Sequence, residues 1–335
     1  MRTALTILTA LVLSVLAGCN GAAPPIEPPI EGREFLTVDF QKGKTLRYKF
    51  VSSRSVALEW DATKSVSGPA KDRVNKSSES MEMVVAYTPV EVDSYGLTTI
   101  KATCESVKAR RSPSKSRQRD AVESFSGATF TLTIDPTGKI EDYSQLKELL
   151  FKVGEKAFRP SRKQGRIKEA DMIGDFIATQ WFLWDSISSI EKASEGVAVG
   201  QSWKSQLSAP TPMIMPRARD VVYTLDKVRS SKKGRVAVIS SSFSSAKSVS
   251  RDWPVPYSGS FQMAGTFGFL SRFVRGFKVR ELQGQGRELF NINAGRTEQY
   301  NHEYRMRLDA SAPSALGIKP RITIKQKLSM QLLGD

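Results

Sequence analysis

The sequence predicts a mainly β fold with a helical insertion: a large curved antiparallel sheet built from two halves, packed by two helices at about 143–192. Three observations predict it. From Phe35 onward, and again beyond residue 219, short segments place apolar side chains at every second position, the period of a half-buried strand. Between them the apolar spacing changes to three and four residues, the period of an amphipathic helix. Glycines also recur at one offset, Gly43 with Gly200, Gly127 with Gly284 and Gly138 with Gly295, the last pair followed by the bases Lys139 and Arg296. Duplication of one β-rich unit would produce this spacing, and so would chance.

Each element follows from its residues. TLRYKFV puts Leu46, Tyr48 and Phe50 on one face and Arg47 and Lys49 on the other, and SVALEW repeats the pattern with Val56, Leu58 and Trp60. SMEMVVAYTPVEV and GLTTIKATCESVKA read as a hairpin turning at Asp93-Ser94-Tyr95-Gly96. ATFTLTIDPTGKI alternates Phe130, Leu132 and Ile134 and then turns at Asp135-Pro136-Thr137-Gly138. Asp142 is placed to cap a helix over about 143–157, whose stripe is Leu146, Leu149, Leu150 and Val153. A second helix is expected over about 168–192, with Ile173, Phe176, Ile177, Trp181, Trp184 and Ile187 on its apolar side. Strands then resume in DVVYTLDKVR, GRVAVISSSF, YSGSFQMAGTFGF, FKVREL, EYRMRLD and ITIKQKLSMQLL.

The N-terminus sets the expected location. After Met1-Arg2, residues 4–16 are apolar but too few to span a bilayer, which takes roughly 20. They fit the core of a signal peptide, and the phrase that follows, LAGC, resembles the bacterial lipobox. The resemblance implies cleavage between Gly18 and Cys19 by lipoprotein signal peptidase, and fatty acyl chains on Cys19. A thiolate is the nucleophile such a modification needs. Asn20 stands where aspartate would mark inner-membrane retention in the enterobacterial sorting pattern, so the expected home is the outer membrane of a bacterial envelope. The organisation is then a signal peptide over 1–18, a proline-rich tether over 19–33 and one β-rich domain over 34–335, with half-repeats at about 34–141 and 196–335 around the segment 142–195. The opening phrase GKTLRYKF resembles β-rich exported bacterial lipoproteins, a likeness that implies no particular activity. The expected architecture is similar to lipoprotein-carrier half-barrels of the LolA and LppX type.

Composition is globular, with 40% apolar and 25% charged residues, and the formal charge of +16 favours anionic partners. Two runs carry much of that charge: KARRSPSKSRQR, with Arg110, Arg111, Lys115, Arg117 and Arg119, and FRPSRKQGRIK, with Arg162, Lys163 and Arg166. Both read as loops, either simply solvated or in contact with anionic lipid headgroups or envelope polysaccharide. Envelope proteins are further candidate partners. Nucleic acid is not expected, because the first run has no aromatic residue to stack on bases and the second only Phe158. FGFLSRFVRGFKVR mixes phenylalanines with bases and reads as core or as a membrane-touching segment.

Catalytic patterns are missing from the sequence. His302 is the one histidine and has no G-x-S-x-G phrase to partner it; H-E-x-x-H, C-x-x-C and the phosphate-loop pattern do not occur. No metal ligand, cofactor or catalytic residue is therefore assigned. Cys104 shares a strand face with Ile100 and Ala102, as a buried small side chain or, if exposed, a reactive thiol. The expected function is a non-catalytic, lipid-anchored envelope protein with a binding or structural role. The alternative is a carrier holding a lipid-like ligand between sheet and helices, lined by Ile173, Phe176, Ile177, Trp181 and Trp184. An enzyme of a type that no motif marks is the third.

Overall fold

The computed structural model describes residues 32–60, 74–112, 120–158, 171–205, 209–210, 218–231, 234–246, 276–311 and 319–334. All belong to one unit, Gly32–Asp335. The N-terminal half contributes β1 (Arg33–Glu34), β2 (Leu46–Glu59), β3 (Val74–Val92), β4 (Thr98–Ser112), β5 (Thr129–Ile134) and β6 (Ile140–Asp142). The helices are α1 (Ser144–Phe158), α2 (Asp171–Phe182) and α3 (Asp185–Ser188). The C-terminal half contributes β7 (Val197–Ala198), β8 (Ser202–Lys204), β9 (Ala209–Pro210), β10 (Ala218–Ser231), β11 (Gly234–Ser245), β12 (Gly276–Asn291), β13 (Arg296–Ser311) and β14 (Arg321–Leu332).

These strands form a 12-stranded sheet in the order β6-β5-β4-β3-β2-β14-β13-β12-β11-β10-β8, with β9 on β10, while β1 and β7 pair separately. Every pair in it is antiparallel. The last strand, β14, inserts between the halves and pairs with β2 from Arg321↔Glu59 to Leu332↔Tyr48. On its two sides the order β6-β5-β4-β3-β2 is matched, with the same strand directions, by β13-β12-β11-β10-β8.

The match extends to single residues. Gly43 N–H donates to the Pro89 carbonyl at 2.8 Å, and Gly200 N–H donates to the Leu225 carbonyl at 2.7 Å. Beside each acceptor the register slips by one residue, between Pro89 and Glu91 in β3 and between Leu225 and Lys227 in β10. Gly138 and Gly295 close equivalent turns, β5–β6 and β12–β13, at φ of +92° and +55°. Gly127 and Gly284 do not correspond: Gly127 precedes β5 at φ +82°, whereas Gly284 lies inside β12 against Tyr304. At Gly295 a Cβ would also stand 2.4 Å from the Asp39 backbone nitrogen. Gly295→Ala is therefore expected to cost about 1–3 kcal/mol, read from urea unfolding.

Several expectations on the elements are corrected. TLRYKFV and SVALEW are one strand, because Ser52 and Arg54 continue the inward-facing parity of β2. Lys108–Arg111 lie in β4 and not in a loop. The second helix is not continuous over 168–192: it ends at Phe182 and α3 begins at Asp185. Trp184, at φ −126° and ψ 0°, leaves the helix path and inserts its ring among Phe40 and Tyr87 at centroid distances of 5.9 and 5.6 Å. The expected strand at YSGSFQMAGTFGF lies outside the described residues, as does FGFLSRFVRGFKVR up to residue 275.

Candidate binding face

The helices cover one face of the sheet. Phe176 stacks on Phe125 with centroids 4.4 Å apart and meets Phe130 edge-on at 6.3 Å. Ile173, Phe176 and Ile177 are fully buried in the same core cluster. Two tyrosines at matching positions of the two halves fasten the helical segment to the sheet. Tyr87, two residues before the Pro89 bulge, donates to Gln180 Oε1 at 2.6 Å. Tyr223, two residues before the Leu225 bulge, donates to Asp185 Oδ2 at 2.6 Å. Asp185 also accepts from Ser189 and Ser205, at 3.0 and 2.8 Å, and Trp203 Nε1 donates to the Ser186 carbonyl at 2.7 Å. These polar anchors explain why a nearly all-buried α2 breaks into α3 instead of continuing.

Polar groups are also sealed under the helices. Arg54 donates from Nη1 to Glu79 at 3.0 Å, from Nη2 to Asp175 at 2.5 Å and from Nε to Gln326 at 3.2 Å. Arg111 extends the chain of charges, with Glu79 and Asp120 each at 2.7 Å. Farther along the sheet, Arg219 lies 4.5 Å from the Phe182 ring centre and 4.9 Å from that of Tyr304, with His302 Nε2 at 3.4 Å from its Nη1. Burial, and then the Arg219 charge, holds the His302 pKa well below its ordinary value. Burial pushes the Glu288 carboxyl up to about 7, against the hydrogen bond from Thr297, and Asp185 is raised for the same first reason. Cys104 is fully buried and its thiol is pushed up to about 12 by that burial, so at neutral pH it is a protonated core side chain.

The opposite face is open and polar. A trough of about 1020 Å³ runs across β2, β14, β13, β12, β11 and β10. It is lined by exposed Ser242, Gln285, Arg287, Asn301, Glu303 and Lys327, with Val238 at its floor. A flat sheet would hold β2 and β10 about 24 Å apart, so their sharing of one trough means that this face is concave here. Adjoining it, and sharing Ser53 and Lys327, a cleft of about 390 Å³ crosses β14, β2, β3 and β4. A third, of about 380 Å³, lies by β7 and β8 at Arg33, Glu191 and Trp203.

Of the residues expected to line an apolar ligand, Ile173, Phe176 and Ile177 are packed by protein atoms. Trp184 is wedged between rings, and Trp181 is half-buried against Tyr143 at 5.3 Å. None of the five borders the three clefts. Of the expected anion contacts, Arg110 is exposed on the open face and lines the cleft across β14, β2, β3 and β4; Arg111 borders the same cleft but gives its guanidinium to Glu79 and Asp120. Cys19, Lys115, Arg117, Arg119, Arg162, Lys163 and Arg166 lie outside the described residues. Sequence reasoning missed the hydroxyl-rich floor of the open face, although its signal is visible as SSRS at 52–55, SSES at 77–80 and SSS at 240–242.

Among the described residues, no helix is long and apolar enough to cross a membrane, and no group of three or more His, Cys, Asp or Glu is arranged to hold a metal ion. No family model matches the sequence, and no curated protein matches it. Among solved structures, one of lipovitellin, described as "lipid-protein interactions in lipovitellin", is similar over 88% of this chain and 26% of its own, at 9% identity and a TM-score of 0.43. The chain thus spans about a quarter of that protein, and a likeness at this level carries no functional argument.

Proposed function

We propose that the chain is a non-catalytic binding protein, held on a bacterial envelope membrane through acyl chains on Cys19, whose ligand meets the sheet face turned away from the helices. The observation that carries this reading is the contrast between the two faces. On the helix side, the aromatic and aliphatic side chains that would line a lipid cavity are in contact with one another. On the other side, six strands present an unfilled concave floor of hydroxyl, amide and charged groups. A floor of that composition suits a polar or anionic partner, such as lipid headgroups or envelope polysaccharide, in keeping with the charge of +16.

Native mass spectrometry of the full chain, extracted from bacterial membranes in dodecylmaltoside, tests both parts. The expected mass is that of a chain starting at an acylated Cys19, with no apolar molecule retained. Cys19→Ser is expected to move the protein from the membrane fraction to the soluble one. A co-purifying lipid that survives detergent exchange and is lost from a Phe176 variant would restore the carrier reading. An unmodified Cys19 would remove the anchor.

A further inference from the structure

We infer that the cleft across β14, β2, β3 and β4 is an oxyanion site, which takes the phosphate or sulfate group of an ester between Arg110 and Lys325. This rests on the reading of the open face as the binding face and adds the chemical class of its ligand.

The register builds the site in two rows. In one, Lys325 on β14 is opposite Ser55, Ser55 opposite Ser78, and Ser78 opposite Ser112. In the other, Lys327 is opposite Ser53, Ser53 opposite Ser80, and Ser80 opposite Arg110. All eight residues line the cleft. Arg110 faces the cleft because of a β-bulge. The register slips between Val84 and Val85, so that Ser106 and Cys104 are their successive partners and Glu105 is the extra residue. The slip reverses the parity of β4, turning Arg111 toward Glu79 and Arg110 outward.

Three features ask for an anion. The first is the floor. Serine is the smallest side chain that still carries a hydroxyl, so the serines of β2, β3 and β4 make a hollow whose floor is donors, and among the described residues no hydrogen bond occupies the hydroxyls of Ser53, Ser55, Ser78, Ser80 or Ser112. The second is the distribution of carboxylates on this face. Glu79, which borders the cleft, is held by Arg54 at 3.0 Å and Arg111 at 2.7 Å; Glu82 is taken by Lys49 at 3.1 Å, Glu303 by Lys327 at 2.9 Å, and Glu105 by Arg47. Arg110 and Lys325 have no carboxylate within ion-pair distance among the described residues.

The third is an apposition of like charges. Lys325 is register partner not only of Ser55 but also of exposed Arg305 on β13, which among the described residues has no carboxylate partner either. Like charges directly opposite each other weaken a sheet. An anionic group between them and Arg110 would turn that repulsion into charge-assisted hydrogen bonds. Arginine would offer its planar fork, lysine a point charge, and the serines neutral donors. The backbones of β14 and β4 are about 14 Å apart, three strand spacings, so two long side chains leaning inward from opposite rims can both reach one tetrahedral group over the serines.

The test is calorimetric titration of the full chain in dodecylmaltoside micelles at low salt. One arm uses inorganic phosphate; another uses the same micelles doped with phosphatidylglycerol or, as control, phosphatidylcholine. Saturable binding is expected. It should fall at least tenfold in Arg110→Gln with Lys325→Gln, and several-fold in Ser55→Ala with Ser80→Ala, which leaves every charge in place. The pair Lys101→Gln and Lys147→Gln, two exposed bases outside the cleft, should bind as the parent does. Binding of free phosphate identifies a soluble ester as the source, and a response confined to phosphatidylglycerol micelles identifies a headgroup. The inference is overturned if neither arm binds, if the serine pair binds as the parent does, if the Lys101 and Lys147 pair loses as much as the cleft pair, or if only an acidic polymer such as polyglutamate binds. A retained core lipid in the mass measurement would instead sink the reading of the open face, and a clean mass without phosphate binding would sink this inference alone.

Discussion

Arg54→Met is expected to destabilise the protein by about 3–5 kcal/mol, read from urea unfolding at neutral pH. Only 1% of the Arg54 side chain is exposed, so water does not screen it. Its guanidinium stands between Glu79 and Asp175, each about nine-tenths buried, and also donates to Gln326. Methionine would fill most of the volume and leave the carboxylates behind. Glu79 would keep Arg111, whereas Asp175 would keep the Ser52 hydroxyl at 3.1 Å and lose Arg54. The cost of such a change is the uncompensated charge more than the lost attraction, because the intact pair has already spent much of its Coulomb energy on desolvation. The same argument makes a second expectation: adding Asp175→Asn to Arg54→Met should recover most of the loss, since the residue left behind is then neutral. A single-variant loss below about 1 kcal/mol, or no recovery in the double variant, would show that the network is hydrated and not sealed under α2.

Arg54 also shows what could and could not be read from the chain. Its parity matches Leu46, Tyr48, Phe50, Val56 and Leu58, so its inward direction is written in β2 once the strand is known to be continuous. A search for apolar alternation instead breaks the strand at Ser52 and Arg54, because polar residues at core positions look like a turn. The same happens to Gln326, His302 and Glu288, all buried on the helix side among apolar neighbours. Element types and the helical insertion were legible because the apolar periods change sharply. The paired turns at Gly138 and Gly295, and the paired contacts of Gly43 and Gly200, were visible as spacing. What no period reveals is a bulge: one extra residue at Glu105 decides that Arg110, and not Arg111, reaches the open face. Nor does local pattern show that β14 inserts between the halves, and that insertion is what carries Lys325 to the serines of β2.

Glu288→Gln is expected to change the pH dependence of stability more than the fold. Glu288 sits on β12 facing the helices, 2% exposed, and accepts from Thr297 Oγ1 at 2.5 Å. Burial raises its pKa from 4.5 to about 7. Between those values the folded chain keeps a proton that the unfolded chain has released, so stability falls as pH rises through this window and is level above it. A shift of this size corresponds to about 3 kcal/mol. Glutamine carries no titrating proton and presents an amide where the protonated acid presents a hydroxyl. The stability of the variant minus that of the parent should therefore climb by about 3 kcal/mol between pH 4.5 and pH 8. The neighbouring charges are common to both proteins. Asp185 on α3 is raised too and slopes the same way; Tyr223 and Tyr300 are pushed up, away from the window. His302 on β13 opposes them: its lowered pKa gives stability that is present above about 6.5 and lost as pH falls. Because these groups are present in both proteins, most of their contribution drops out of the difference, and urea midpoints at four or five pH values read mainly Glu288. A difference that stays flat across the window would mean that the carboxylate is ionised in the folded chain, and that water reaches the sheet beneath α3.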